Sequence, residues 1–87
     1  MPLEARYDEA ALSYAKGVQA SPRFSALYWD QAASLALAGR VEEARPVVRQ
    51  VLELGPGIRA RVIYRIGLTP TLVDKFMEGA RLVGLPE

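Results

Sequence analysis

Cysteine and histidine are both absent from the 87 residues. Without thiols there is no disulfide framework, no thiolate nucleophile and no thiolate metal site. Without imidazole the usual general base near neutral pH and the commonest metal ligand are missing. No apolar stretch approaches the ~20 residues of a membrane span, and the opening MPLEARYDEA carries acidic residues where a signal peptide needs an apolar run. A bias of charge is lacking too: 11 basic against 10 acidic residues leave a formal net +1, which gives little counterion-release drive toward nucleic acid. These absences predict a cytoplasmic chain with no nucleic-acid or membrane partner, no cofactor and no metal.

Catalysis finds no footing in what remains. The acidic pairs Asp8-Glu9 and Glu42-Glu43 are adjacent in sequence, hence about 100° apart around a helix, and read as solvated surface. Ser13, Ser21, Ser25 and Ser34 have no histidine to activate them. Gly55-Pro56-Gly57 is a turn signal with no lysine motif behind it, not a phosphate-binding loop. The expectation is a chain that is not an enzyme.

What is present is a 51% hydrophobic sequence patterned for helices. Residues 3–20 carry Leu3, Tyr7, Ala10, Ala11, Tyr14 and Val18 at intervals of three and four, with Glu4, Asp8, Glu9 and Lys16 on the other side. Ser21-Pro22 ends that helix and starts the next. Residues 25–38 place Tyr28, Ala32, Leu35 and Ala38 on one stripe, and Gly39 supplies a left-handed helix end. Val41, Ala44, Val48, Val51 and Leu52 form the inward stripe of a third helix, in which Pro46 removes the bond to the Glu42 carbonyl and should bend or delay it. Ile58, Val62, Ile63 and Ile66 give a short fourth stripe cut off by Gly67. Thr69 is placed as N-cap and Pro70 as first residue of a last helix, lined by Leu72, Val73, Phe76, Met77, Ala80 and Val83. Gly84 ends it, with Leu85 folding back in a Schellman closure and Pro86 blocking continuation.

Two of these segments are copies. Arg6 to Pro22 overlays Arg40 to Pro56 at a shift of 34 residues: Ala10 on Ala44, Tyr14 on Val48, Gly17 on Val51, Val18 on Leu52 and Pro22 on Pro56. That period and those residue types resemble the second helix of a tetratricopeptide repeat. In the helix between the copies, Tyr28 stands where the repeat usually carries tryptophan, Ala32 where it carries glycine or alanine, and Leu35 where it carries tyrosine; Gln31 departs from the usual leucine. The resemblance implies an all-α, right-handed superhelix of antiparallel helix pairs. It would have about five helices: a half repeat (1–22), a complete repeat (25–58), and a divergent repeat with a capping helix (59–87). It also implies a protein interaction or scaffolding module with a protein or peptide partner.

A second resemblance covers the closing segment TPTLVDKFMEGARLVGLPE. Phe76, Glu78, Gly79, Arg81, Gly84, Leu85 and Pro86 are similar to the end of the repeat regions that follow the catalytic domain in some bacterial class III adenylate/guanylate cyclase-like proteins. This implies an alternative, a regulatory or interaction tail of a signalling protein of that kind; no cyclase activity carries over.

The first helices of stacked repeats line a concave face, so the resemblance assigns partner contact to Ala26, Trp29, Ala33 and Leu37, with Asp30 at the edge. Against this stands Trp29 packing on the first or fourth helix. Arg59, Arg61 and Arg65 form the one clear charge cluster, and no acidic residue lies between Glu53 and Asp74. Arg61 and Arg65 are one helical turn apart and could clamp a carboxylate or phosphate through their planar donor forks; the plain alternative is a solvated face paired to Glu53 or Asp74. In the repeat register the first helix lacks its own partner helix. It should therefore expose Tyr7, Ala11, Tyr14 and Val18, either to the rest of a longer repeat protein or to a second copy in a homodimer.

Overall fold

Each apolar stripe becomes a helix, and the buried residues of each decide how the helices meet. The computed structural model describes residues 3–23, 25–55, 57–65 and 68–86. Pro56, Ile66, Gly67 and the side chain of Leu3, which enter the sequence reading, lie outside the described residues. Within that set the chain forms α1 (Leu3–Ala20), α2 (Ser25–Leu37), α3 (Val41–Leu54), α4 (Ala60–Arg65) and α5 (Pro70–Val83), and the described residues contain no strand. The fold is all-α. None of these helices is long and apolar enough to cross a membrane.

α2 is the centre, and its composition explains why. Ala32, Ala33, Ser34, Leu35 and Ala36 are all buried, so consecutive residues, which point in different directions around the helix, all face other protein. α1, α3, α4 and α5 each pack against α2. Small side chains permit the approach: a Cβ placed on Gly79 of α5 would lie 2.8 Å from the Ala33 carbonyl oxygen, well inside van der Waals contact.

The core is a run of rings crossing four helices. Trp29 (α2) meets Tyr64 (α4) edge-on at 6.1 Å between centroids, Tyr64 meets Phe76 (α5) at 5.4 Å, and Phe76 meets Tyr14 (α1) at 6.3 Å. Edge-to-face pairs of this kind each add about 0.5–1.5 kcal/mol beyond burial. Ala32, Ala33, Val48, Val51, Ala60, Met77, Ala80 and Leu85 complete this cluster, and Ala11, Leu35 and Ala44 form a second one where α1 and α3 flank α2.

Helix ends follow the sequence signals. Gly39 takes φ +81°, while Arg40 N–H donates to Leu35 O and Gly39 N–H to Ala36 O. The same arrangement closes α5: Gly84 has φ +77°, Leu85 N–H donates to Ala80 O at 2.9 Å and Gly84 N–H to Arg81 O at 3.3 Å. Leu85 is thereby buried, and Pro86 O accepts from Ala60 N–H at 2.7 Å, fastening the end of α5 to the start of α4. Thr69 caps α5 by accepting from Leu72 N–H, with Pro70 in the first turn. Pro46 stays within α3 without interrupting it and faces solvent.

Several sequence expectations are corrected by the way the last two helices fold back. α4 has six residues, too few to line a further repeat, and α4 and α5 return to cover α2. Trp29 and Ala33 therefore do not look outward onto a concave face: both are 0% exposed. The inward residues of α4 are Ala60 and Tyr64, while Val62, expected inside, is 57% exposed. Leu52 of the α3 stripe and Leu72 of the α5 stripe are likewise exposed. On α1 Ala11 is buried in the cluster around Leu35, while Ala10, the residue that overlays Ala44 in the repeat register, is only half-buried.

Candidate anion-binding cleft

The short α4 leaves a cleft beside α5. Arg61 and Arg65 line one wall from α4, and Val73, Asp74, Met77 and Arg81 line the other from α5, around a volume of about 450 Å³. On α4 the arginines are four residues apart, hence on one face with about 5–6 Å between Cβ atoms. On α5 the spacing of Val73, Asp74, Met77 and Arg81 repeats at one, three and four residues, again one face. Met77 is buried and Val73 half-buried, so the floor is apolar, and the rim carries three arginines and one carboxylate, Asp74. A second hollow of about 360 Å³ adjoins, sharing Arg65, Val73 and Asp74 and adding Leu68 and Pro70.

Arg61 and Arg65 are exposed and, among the described residues, make no ion pair or hydrogen bond with an acidic side chain. Asp74, considered as their partner, shares the cleft without bridging to either. Arg81 is already engaged in an interaction of its own. The acids elsewhere are differently occupied. Arg40, in the turn before α3, reaches Asp8 of α1 at 2.9 Å and binds Glu43 through two nitrogens. The hydrogen bond to Glu43, then that to Asp8, holds the Arg40 proton more firmly than usual, and the same bond lowers the Glu43 pKa. Glu42 pairs with Arg45 at 3.1 Å and Glu78 with Lys75 at 3.7 Å.

A separate groove of about 240 Å³ runs between α1 and α5, lined by Arg6, Tyr7, Ala10, Tyr14, Leu72 and Phe76. Near it Asp30 is half-buried with no hydrogen bond or ion pair among the described residues, and burial raises its pKa to about 7. Burial, and secondarily the charge on Asp30, raises the pKa of Tyr14 and of Tyr64.

The residues singled out from sequence thus separate. Arg61 and Arg65 come together at one cleft. Trp29 and Ala33 enter the core, while Ala26 and Leu37 are half-buried. Tyr7 and Tyr14 line the α1–α5 groove, Ala11 is 4% exposed, and Val18 is half-buried. The open apolar face expected on α1 is therefore largely covered, because α2 packs on it and Phe76 of α5 reaches across to Tyr14. Sequence reasoning missed Met77 and Arg81 as parts of the cleft: Met77 was read as core and Arg81 as one residue of a terminal motif, and only the return of α5 puts both opposite α4. No known protein family, characterised protein or solved structure shows detectable similarity to this chain.

Proposed function

We propose that the chain is a non-catalytic protein interaction module of the tetratricopeptide type, with α1, α2 and α3 as successive hairpin arms and α4–α5 as a divergent cap that carries the binding surface. The observation behind this reading is the pair of guanidinia on α4, which face a solvent-accessible, apolar-floored cleft and have no acidic partner among the described residues. The short α1–α2 and α2–α3 connections, with α1 and α3 each packed on α2 and Ala11 and Ala44 in one cluster with Leu35, support the hairpin assignment. Self-association through Tyr7, Ala11, Tyr14 and Val18 is left out of this reading, since those side chains are partly or wholly covered within one chain. In the closing segment Phe76, Gly79, Gly84, Leu85 and Pro86 have packing or turn-forming roles of their own, so the signalling-tail alternative gains no separate support.

Selection of a random displayed-peptide library on the immobilised chain tests the proposal. Convergent sequences enriched in acidic residues, with saturable binding, are expected. A selection that returns no convergent peptide removes the module reading.

A further inference from the structure

We infer that the α4–α5 cleft holds a phosphate monoester, presented by a phosphorylated side chain of a protein partner. This rests on the interaction-module reading and names what that module recognises.

One guanidinium can satisfy a carboxylate by itself through two parallel N–H bonds. Arg61 and Arg65 line one cleft from one helical face, so together they offer more donors and more positive charge than one carboxylate absorbs. A phosphate monoester carries about −1.5 to −2 charges and three acceptor oxygens, the complement of two such forks. Within the chain Asp74 does not supply that anion, although it lines the same space.

A nucleic-acid strand or polyphosphate lying along the cleft would set a further phosphate against the Asp74 carboxylate. A single phosphate between Arg61 and Arg65 meets that carboxylate once rather than repeatedly, and Asp74, which lines the same space, is left to accept from a backbone N–H of the partner. The Val73 and Met77 floor, and the adjoining hollow with Leu68 and Pro70, then take apolar residues flanking the phosphorylated one. Recognition of a phosphorylated segment by an arginine cluster is a general solution to this chemistry.

Titration of the full chain with phenyl phosphate and, separately, benzoate, followed by amide NMR shifts, tests the site. Phenyl phosphate should move residues 61–65 and 73–81 saturably, with benzoate at least tenfold weaker. Arg61→Gln/Arg65→Gln, both on exposed positions, should weaken phenyl phosphate at least tenfold, and Asp74→Asn should strengthen it. Equal binding of the two anions, or affinity unchanged in the double variant, overturns the site. A phosphopeptide array probed with the same proteins then separates the sources. Capture that needs both the phosphate and the two arginines is expected. Phenyl phosphate binding at the cleft with no phosphopeptide captured would overturn the partner assignment while leaving the phosphate site, the module reading being decided by the displayed-peptide selection. Convergent unphosphorylated peptides without phenyl phosphate binding would overturn only this inference.

Discussion

The Tyr64 hydroxyl donates a 2.8 Å hydrogen bond to the backbone carbonyl of Trp29, with both residues 0% exposed. A six-residue helix cannot be stable by itself, so α4 is held by this bond, by the Tyr64 ring between Trp29 and Phe76, and by Ala60 N–H donating to Pro86 O. Tyr64→Phe keeps the ring and should cost about 1 kcal/mol for the lost bond. Tyr64→Ala should cost about 3–5 kcal/mol, a large share of the ~5–15 kcal/mol that holds a typical domain. Urea denaturation measures both. Equal losses for the two variants would mean that the ring contacts carry little.

Glycines in helices usually weaken them, which makes Gly79 and Gly17 a useful pair. Alanine at Gly79 would press on the backbone carbonyl of Ala33 at 2.8 Å and on Leu37 Cγ at 3.1 Å; a backbone oxygen cannot move aside cheaply. The helix-propensity gain of about 1 kcal/mol is outweighed by overpacking of about 1–3 kcal/mol, so Gly79→Ala should destabilise. At Gly17 the nearest atoms are the tip of the Leu27 side chain at 3.3 Å, which can rotate, so Gly17→Ala should be neutral or stabilising. Thermal unfolding of the two single variants reads the signs; a stabilising Gly79→Ala would contradict the close α2–α5 contact.

Asp30 predicts how stability depends on pH. Its folded pKa of about 7 lies above the ordinary 3.8, so from about pH 4 to 7 the folded chain binds more protons than the unfolded one. Stability therefore falls as pH rises through that window and levels off above pH 7. Asp30→Asn removes the charge that burial penalises. It should stabilise the chain at pH 8 by on the order of 1–2 kcal/mol, after discounting for the partial exposure of the carboxylate, and the gain should vanish near pH 4. A gain that is the same at both pH values would show that the carboxylate stays ionised throughout.

Much of this architecture could be read from single residues with strong local physics. Gly39, Thr69, Pro70 and Gly84 end or start helices because of their backbone or side-chain chemistry alone, and their signals survive any tertiary arrangement. Arg61 and Arg65 were legible as a cluster for a similar reason, since spacing on one short helix fixes their common face. What misled was the role of α2. The repeat register turns Trp29 and Ala33 toward a groove; the alternative set beside it, Trp29 packing on the first or fourth helix, is the one that matches its contact with Tyr64. A helix that is apolar all round is enclosed on every side, and Ala32–Ala36 obey that rule. The enclosing element, α5, is placed by contacts between residues 33 and 79, a separation at which periodicity carries no information. Tyr64 was missed for the same reason, because its inward direction depends on reaching the Trp29 carbonyl.

The most direct test of the central claim is the dissociation constant of the strongest display-selected peptide, compared across the unaltered chain and two charge-matched double variants. Arg61→Gln/Arg65→Gln removes the cleft arginines; Arg45→Gln/Arg49→Gln removes two from α3, beside Val48 and Val83. The account predicts at least a tenfold loss for the first and less than a twofold change for the second. Equal losses would reduce the attraction to general surface charge, and no loss in the first variant would contradict binding at the α4–α5 cleft.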